Sequence, residues 1–341
     1  MVTAFGPGRV NLIGEHTDYN DGLALPFAIG LGVTVTAEAI DGDEVEASAR
    51  GGETDRFPLA DPPRDGDDWR AFVHGAVGEL TAAGHTLTAA RLTIDGDIPE
   101  GSGLSSSAGL EVALTLALLE LANAEEPGRV ALAKLCSRIE NDWVGAHTGL
   151  LDQLASLLGR EGHALRIDFR TLAVEHVPLA LGEHRLVCVD SGETHRHAAG
   201  GYNERREELA EAQRLLHLDS LRDATLAAAN DLPDPLARRV RHTITENARV
   251  DATVDALGRG DLAAVGALLD ASHASLRDDY DASTAAVERT VAALKDGGAL
   301  GARMVGGGFG GQVLALLPPG APLPPEAIDV APAPGARVIR R

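Results

Sequence analysis

Three glycine-punctuated segments hold the residue types from which chemistry can be built. Residues 8–20 crowd Arg9, Asn11, Glu15, His16, Asp18 and Asn20 into one short span. That mixture suits a polyhydroxylated ligand, because charged side chains make the strongest hydrogen bonds to neutral hydroxyls. Residues 99–108 run Gly101, Ser102, Gly103, Leu104, Ser105, Ser106 and Ser107 into a long apolar stretch. A Gly/Ser loop feeding a helix start is a prepared anion site, since free backbone N–H groups and the helix dipole both favour negative charge. A serine there can also hold magnesium, as in other nucleotide loops. Gly306, Gly307, Gly308, Gly310 and Gly311 free the backbone for close approach. Together the three segments point to a phosphotransferase acting on a small polyol or sugar.

Moving a phosphoryl group to a hydroxyl needs in-line positioning, charge neutralisation and often a base. Asp152 follows Leu150 and Leu151 in an apolar run, where a carboxylate should be paired or functional. Arg9 would hold it ionised and oriented, and would neutralise charge at the transferred group. Glu140 is a candidate magnesium ligand, because magnesium sites combine one or two carboxylates with phosphate oxygens and water. Each feature also has a plainer reading. The serines suit a helix cap, Asp152 a cap or a buried ion pair, Glu140 a solvated helix face, and Glu15, His16 and Asp18 a polar turn. No G-x-x-x-x-G-K-[ST] loop exists, and Gly306, Gly308 and Gly311 match G-x-G-x-x-G without the βαβ context that would make it meaningful.

The elements that must position these groups follow from periodicity. Residues 23–49 read as strands, 50–68 as loop, 90–97 as a strand. Phe72, Val73, Ala76, Val77 and Leu80 give helical spacing across 69–82. Residues 107–121 form a nearly all-apolar buried helix starting directly after the Gly/Ser loop. Residues 129–146 predict one amphipathic helix and 150–158 a short one behind Asp152. A strand at 186–190 opens a second domain. Helical periods follow at 203–217, 221–229, 235–257, 261–275 and 283–295. Residues 301–305 and 312–317 flank the last glycines as strands, and the Pro-rich tail from 318 is extended. Strands and helices without strict βαβ alternation predict an α+β fold.

Composition narrows the function classes. The 341-residue chain carries a formal net charge of −21, which argues against a broad basic face for nucleic acid or anionic membrane. Such a surface repels itself and suits a soluble protein, including one in a salty cytoplasm. Lysine occurs only at 134 and 295, so cationic roles fall to arginine. Cys136 and Cys188 sit in apolar settings and read as free buried thiols, consistent with a cytoplasmic location. No signal peptide or bilayer-length apolar stretch is present in the sequence.

Residues 8–20 closely resemble the galactokinase sugar-binding motif. Residues 103–108 resemble the ATP-loop motif of the wider superfamily that includes homoserine, mevalonate and phosphomevalonate kinases, and 301–311 resemble its third motif. Further similarity lies in Glu140-Asn141, in residues 149–153, in Tyr202-Asn203-Glu204-Arg205-Arg206 and in residues 272–280. The resemblance implies a two-domain α+β fold, divided into 1–180 and 181–341, with the active site between the domains. It implies ATP- and Mg2+-dependent phosphorylation of the anomeric hydroxyl of α-D-galactose, with Asp152 at the catalytic carboxylate position and Arg9 beside it. Glu15, His16, Asp18 and Tyr202 match sugar contacts, and Ser107 and Glu140 match magnesium ligands. Residues 101–106 would wrap the phosphates, Gly307 and Gly308 would lie near the site, and Trp69 resembles a tryptophan near the adenine pocket. The implied partners are the sugar and ATP, with no nucleic acid and no membrane, in a monomer or weak homo-oligomer.

The chain departs from the family where Val305 replaces a usual threonine and where 285–289 replace a Glu-Leu-Asp pattern. It also starts almost at the first motif. Two other readings stay open: a kinase for galactosamine, N-acetylgalactosamine, L-arabinose or a uronate, and a catalytically silent sugar sensor. Glu15 and Asp18 would repel a uronate. Sensors tend to lose part of the serine loop that is intact here.

Overall fold

The computed structural model describes residues 1–64, 68–99, 101–146, 148–193 and 198–339, of which 198–200 are described by backbone alone. Glu100, inside the second glycine-rich segment, lies outside them. Mixed helices and strands in three sheets give the α+β class.

The strand β1 (Val2–Asn11) lies antiparallel to β3 (Pro26–Ala39), which follows the short β2 (Leu23–Ala24). Beyond β3 come β6 (Ala90–Gly96), then β4 (Glu44–Ala49) parallel to β6, then β5 (Thr54–Pro58). The stretch 50–68 is therefore not all loop. Thr54 to Pro58 form an edge strand that exists by pairing with β4 and buries only Phe57, so its Gly- and Pro-rich surroundings mask it. The helix α1 (Trp69–Ala82) has the expected bounds, and Asp68 caps it by accepting from the Arg70 N–H at 2.9 Å. The central α2 (Ser106–Leu121) is buried on nearly every side and lies across β1 and β3.

The single helix predicted over 129–146 is interrupted. α3 (Arg129–Arg138) passes into a π-helical turn, Ile139–Val144, which ends at Gly145 in the left-handed conformation. Such turns widen the helix by one residue and recur at functional sites; Glu140 lies on this one. α4 (Leu151–Leu158) then carries Asp152 in its first turn. Two strands missed by periodicity, β7 (His163–Asp168) and β8 (Ala173–Pro178), join β2 in a three-stranded sheet.

From β9 (Arg185–Asp190) onward the chain builds a second antiparallel sheet with β10 (Gly301–Met304), β11 (Gln312–Leu317) and β12 (Ile328–Val330), ordered β10-β11-β9-β12. The helices are α5 (Ala198–Leu216), α6 (Leu226–Asn230), α7 (Leu236–Gly258), α8 (Leu262–Asp278) and α9 (Ala285–Asp296). The helix expected at 221–229 is broken into a 3-10 turn, Leu221–Asp223, and α6. The tail is not simply extended. β12 pairs with β9, and β13 (Arg337–Ile339) crosses back to cover the free edge of β1. An apolar cluster joins the two halves: Val10, Leu12, Ile13, Leu25 and Phe27 pack in it with Val250, Leu269 and Leu314. The first glycine-rich motif is thereby fixed at the junction.

Candidate active site

Arg9 follows an irregularity in the pairing of β1 with β3. The register shifts between Pro7 and Arg9, with the extra residues on β3, and such a bulge re-aims nearby side chains. The Arg9 N–H donates to the Leu104 carbonyl at 3.1 Å, tying the strand to the serine loop. Its guanidinium then makes a bidentate pair with Asp152, Nε to Oδ1 at 2.7 Å and Nη2 to Oδ2 at 2.7 Å, while Nη1 donates to the Gly103 carbonyl at 2.9 Å. Burial opposes the guanidinium charge, but the carboxylates around it, Asp152 first and then Glu15 and Glu140, together raise the Arg9 pKa. The Ser105 hydroxyl also donates to Asp152 Oδ2. Ser105 adopts a left-handed conformation at the cap of α2, which turns its side chain toward Asp152. Oδ1, with one protein donor in this arrangement, is the oxygen of Asp152 with more room for a ligand hydroxyl.

A cavity of about 330 Å³ opens onto this pair, lined also by Glu15, His16, Asp18, Thr148, Gly149, Tyr202, Asn203, Gly306 and Gly307. Every expected sugar contact therefore reaches one cavity. Glu15 Oε1 accepts from the Gly306 N–H at 2.8 Å and faces Arg303 Nη2 at 3.3 Å. Asp18 fits because Gly149 has no side chain: a Cβ there would collide with Asp18 Oδ2. Burial, reinforced by the Asp152 charge, raises the Asp18 pKa to about 7. Tyr202 packs over Gly307, whose added Cβ would sit 3.2 Å from the ring.

His16 lines the cavity with both ring nitrogens engaged. Nε2 lies 3.2 Å from the Gly307 carbonyl and Nδ1 lies 2.7 Å from the Tyr19 hydroxyl. Burial, with His242 adding to it, lowers the His16 pKa to about 3, so the ring is neutral. A carbonyl only accepts, so Nε2 carries the proton and Nδ1 accepts from Tyr19. The Tyr19 oxygen can then accept from Tyr280, 2.7 Å away. All three tyrosines of the chain thus gather at His16.

A second cavity, of about 730 Å³, lies along the other side of the serine loop. Trp69, Phe72, Ile94, Ile98, Pro99, Ser106, Ser107 and Leu110 line it. It offers apolar walls for a planar base beside the N-terminus of α2. Between the cavities the Ser107 hydroxyl donates to Glu140 Oε1 at 2.9 Å. A hydroxyl beside a carboxylate is a hard-oxygen pair that suits magnesium. No cluster of three or more His, Cys, Asp or Glu side chains exists among the described residues. An ion at Ser107 and Glu140 would therefore complete its shell with phosphate oxygens and water. Gly306 and Gly307 line the cavity, and Gly308, next in the chain, packs against Met304 and Ala282.

Sequence reasoning did not single out Gln153, Thr148, Asn203, Arg303 or the tyrosine chain. A polar residue beside Asp152 in an apolar run was the one local signal for Gln153; the others depend on partners far away in sequence.

Comparison with known proteins places these features in context. Residues 2–39 match the galactokinase galactose-binding signature, 71–160 the GHMP kinases N terminal domain and 253–323 the GHMP kinases C terminal domain. The galactokinase of Mycobacterium tuberculosis H37Rv is 43% identical over 328 residues, covering 93% of this chain and 90% of that protein. The galactokinase of Streptomyces coelicolor is 42% identical over 322 residues, covering 91% and 83%. The structure of Lactococcus lactis galactokinase complexed with galactose superposes with a TM-score of 0.91 at 32% identity, covering 98% of this chain and 94% of that one. Methanococcus jannaschii mevalonate kinase shares the fold, with a TM-score of 0.69 at 18% identity over 93% of this chain and 90% of that one. With its three motifs matched in order and its relatives aligned along nearly their full length, this chain belongs to the galactokinase family of the GHMP kinases.

Proposed function

We propose that this protein transfers the γ-phosphoryl group of ATP to the anomeric hydroxyl of α-D-galactose, releasing galactose 1-phosphate and ADP. The observation that carries the reading is the Arg9–Asp152 pair in a cavity lined by Glu15, Asp18 and Tyr202, beside a serine loop that opens α2. Asp152 orients the sugar O1–H. As the O1–P bond forms and the bond from phosphorus to the β,γ-bridging oxygen breaks, the O1 proton passes to the Asp152 carboxylate and ADP leaves with the electron pair. A loose transition state needs little activation of the nucleophile, so positioning carries much of the catalysis. Arg9 keeps the carboxylate in place and offsets charge at the transferred group.

Glu15, Asp18 and Tyr202 bond the sugar hydroxyls, with His16 shaping the wall between them. An epimer that fails to meet one of these buried groups leaves it unpaired, which gives strong discrimination. The loop at 101–106 receives the phosphates on backbone N–H groups and Trp69 flanks the base. Ser107 and Glu140 would hold magnesium, which would supply neutralisation of phosphate charge when bound. In this reading residues 1–180 and 181–341 are the two domains around the site, with residues 337–339 returning to the first sheet.

The test is ADP release with D-galactose, D-glucose, N-acetylgalactosamine, galacturonate and L-arabinose. Galactose leads the panel, and Asp152→Asn lowers kcat by about 10²- to 10⁴-fold with galactose binding retained. Turnover led by another sugar would move the specificity, and a variant that turns over but no longer binds sugar would overturn the role of Asp152.

A further inference from the structure

Glu140 is held by more than Ser107. Its Oε2 accepts from the Thr148 hydroxyl at 2.7 Å and from the Gln153 side-chain nitrogen at 2.9 Å. The same Gln153 nitrogen donates its other proton to Glu111 Oε2 at 3.1 Å. Gln153 and Glu111 are both fully buried. Burial, and after it the Glu140 charge, push the Glu111 pKa well up. Glu111 stands one helical turn after Ser107 on α2, so the two share a face. Three elements converge here: α2 through Ser107 and Glu111, the π-helical turn through Glu140, and α4 through Gln153.

Burying an amide between two carboxyl groups is expensive compared with burying a methionine of similar size. The geometry explains why a glutamine is used. A primary amide has two donors on one nitrogen, and both are spent on carboxyl oxygens. Fixing Oε2 from two sides keeps Oε1 turned toward Ser107.

We propose that Gln153 is a positioning residue for magnesium: anchored by Glu111, its amide fixes the Glu140 carboxylate beside Ser107. This rests on the reading that Ser107 and Glu140 hold the ion. Because Gln153 directly follows Asp152 on α4, the reactive carboxylate and the metal ligand are referenced to the same rigid turn.

Calorimetric binding of ADP, with and without Mg2+, to the full chain tests the proposal, alongside the galactose affinity of each variant. Gln153→Met keeps the volume and removes both donors. It is expected to weaken ADP binding in the presence of Mg2+ by about 10- to 100-fold, the usual effect of losing a partner of a metal ligand. Metal-free ADP and galactose should bind as in the parent. Glu111→Leu should act in the same direction, whereas Glu111→Gln keeps an acceptor for the amide and should restore most of the Mg2+ enhancement. That pair decides the matter if Gln153→Met does not fold. Parent-like Mg2+ enhancement in Gln153→Met and Glu111→Leu, with enhancement lost in Glu140→Ala, would overturn the positioning role while leaving the ligand reading intact. Enhancement retained in Glu140→Ala would overturn the ligand reading and the proposal together.

Discussion

Asp18 shares its cavity with Glu15 and Asp152, and each of those two faces an arginine. Burial and the Asp152 charge raise Asp18 from its ordinary 3.8 to about 7. Between those values the folded protein keeps a proton on Asp18 that the unfolded chain has released. The folded state binds more protons, so this group's contribution makes stability fall as pH rises through that window. Asp18→Asn is isosteric and uncharged and escapes the effect. Without sugar, its melting temperature relative to the parent should climb by a few degrees from pH 4 to pH 8 and level off above about pH 7. A difference constant with pH would show that Asp18 ionises normally. Above about pH 7, where Asp18 is ionised, the same variant should bind galactose more weakly, because an amide oxygen accepts less strongly than a carboxylate. The chemistry of residues 8–20 was legible in the sequence because its members are neighbours. Ser105 was expected at the phosphates, and its bond to Asp152 was not legible, since nothing local tells which of three serines turns inward.

At the scale of elements, α2 sets the site, because its N-terminus carries Ser106 and Ser107 and the helix rests on β1 from its first turn. The contact is possible because Gly6 and Gly109 face each other. A Cβ on Gly109 would lie 2.8 Å from the Gly6 carbonyl oxygen, a backbone atom that cannot swing aside. Propensity and packing therefore make opposite predictions. Helix propensity alone would make Gly109→Ala stabilising by about 1 kcal/mol. Overpacking should win and destabilise by about 1–3 kcal/mol in denaturant unfolding. The displaced helix should also raise KM for ATP more than KM for galactose, because Ser107 sits on α2 and the proposed sugar contacts Glu15, His16, Asp18 and Tyr202 do not. A stabilised variant would mean that β1 and α2 separate without strain. The apolar run of α2 was plain from composition. The π-helical turn was not, because an amphipathic period carries no mark of a single widened turn.

For the whole molecule the dominant fact is the net charge of −21. Many of the ion pairs involve exposed side chains, which contribute little each. Self-repulsion should therefore be felt at low ionic strength. The screening length falls from about 10 Å at 0.1 M salt to about 3 Å at 1 M. Melting temperature should rise with added sodium chloride, most steeply at the low end. Chloride is preferred to sulfate for the test, because sulfate stabilises proteins by exclusion from their surfaces. A flat response would mean that the arginine–carboxylate pairs already neutralise the surface locally. No helix among the described residues is long and apolar enough to cross a membrane.

The sequence alone determined which side chains could do chemistry and the start and length of the strongly periodic elements. Helix and strand periods are short-range properties: α1 and β10–β11 were legible within a few residues of their ends. So were the α+β class and the three motifs that carry the family resemblance. Tertiary structure alone decided how those motifs meet. Arg9 and Asp152 are 143 positions apart, and Glu15 and Gly306 are 291 apart. Whether such groups touch depends on the register shift between β1 and β3, the glycine contact under α2 and the shared apolar cluster. The same holds for β5, β7, β8 and β13. An edge strand is stabilised by its partner's backbone and by the face it covers, and neither is written in the strand's own residues.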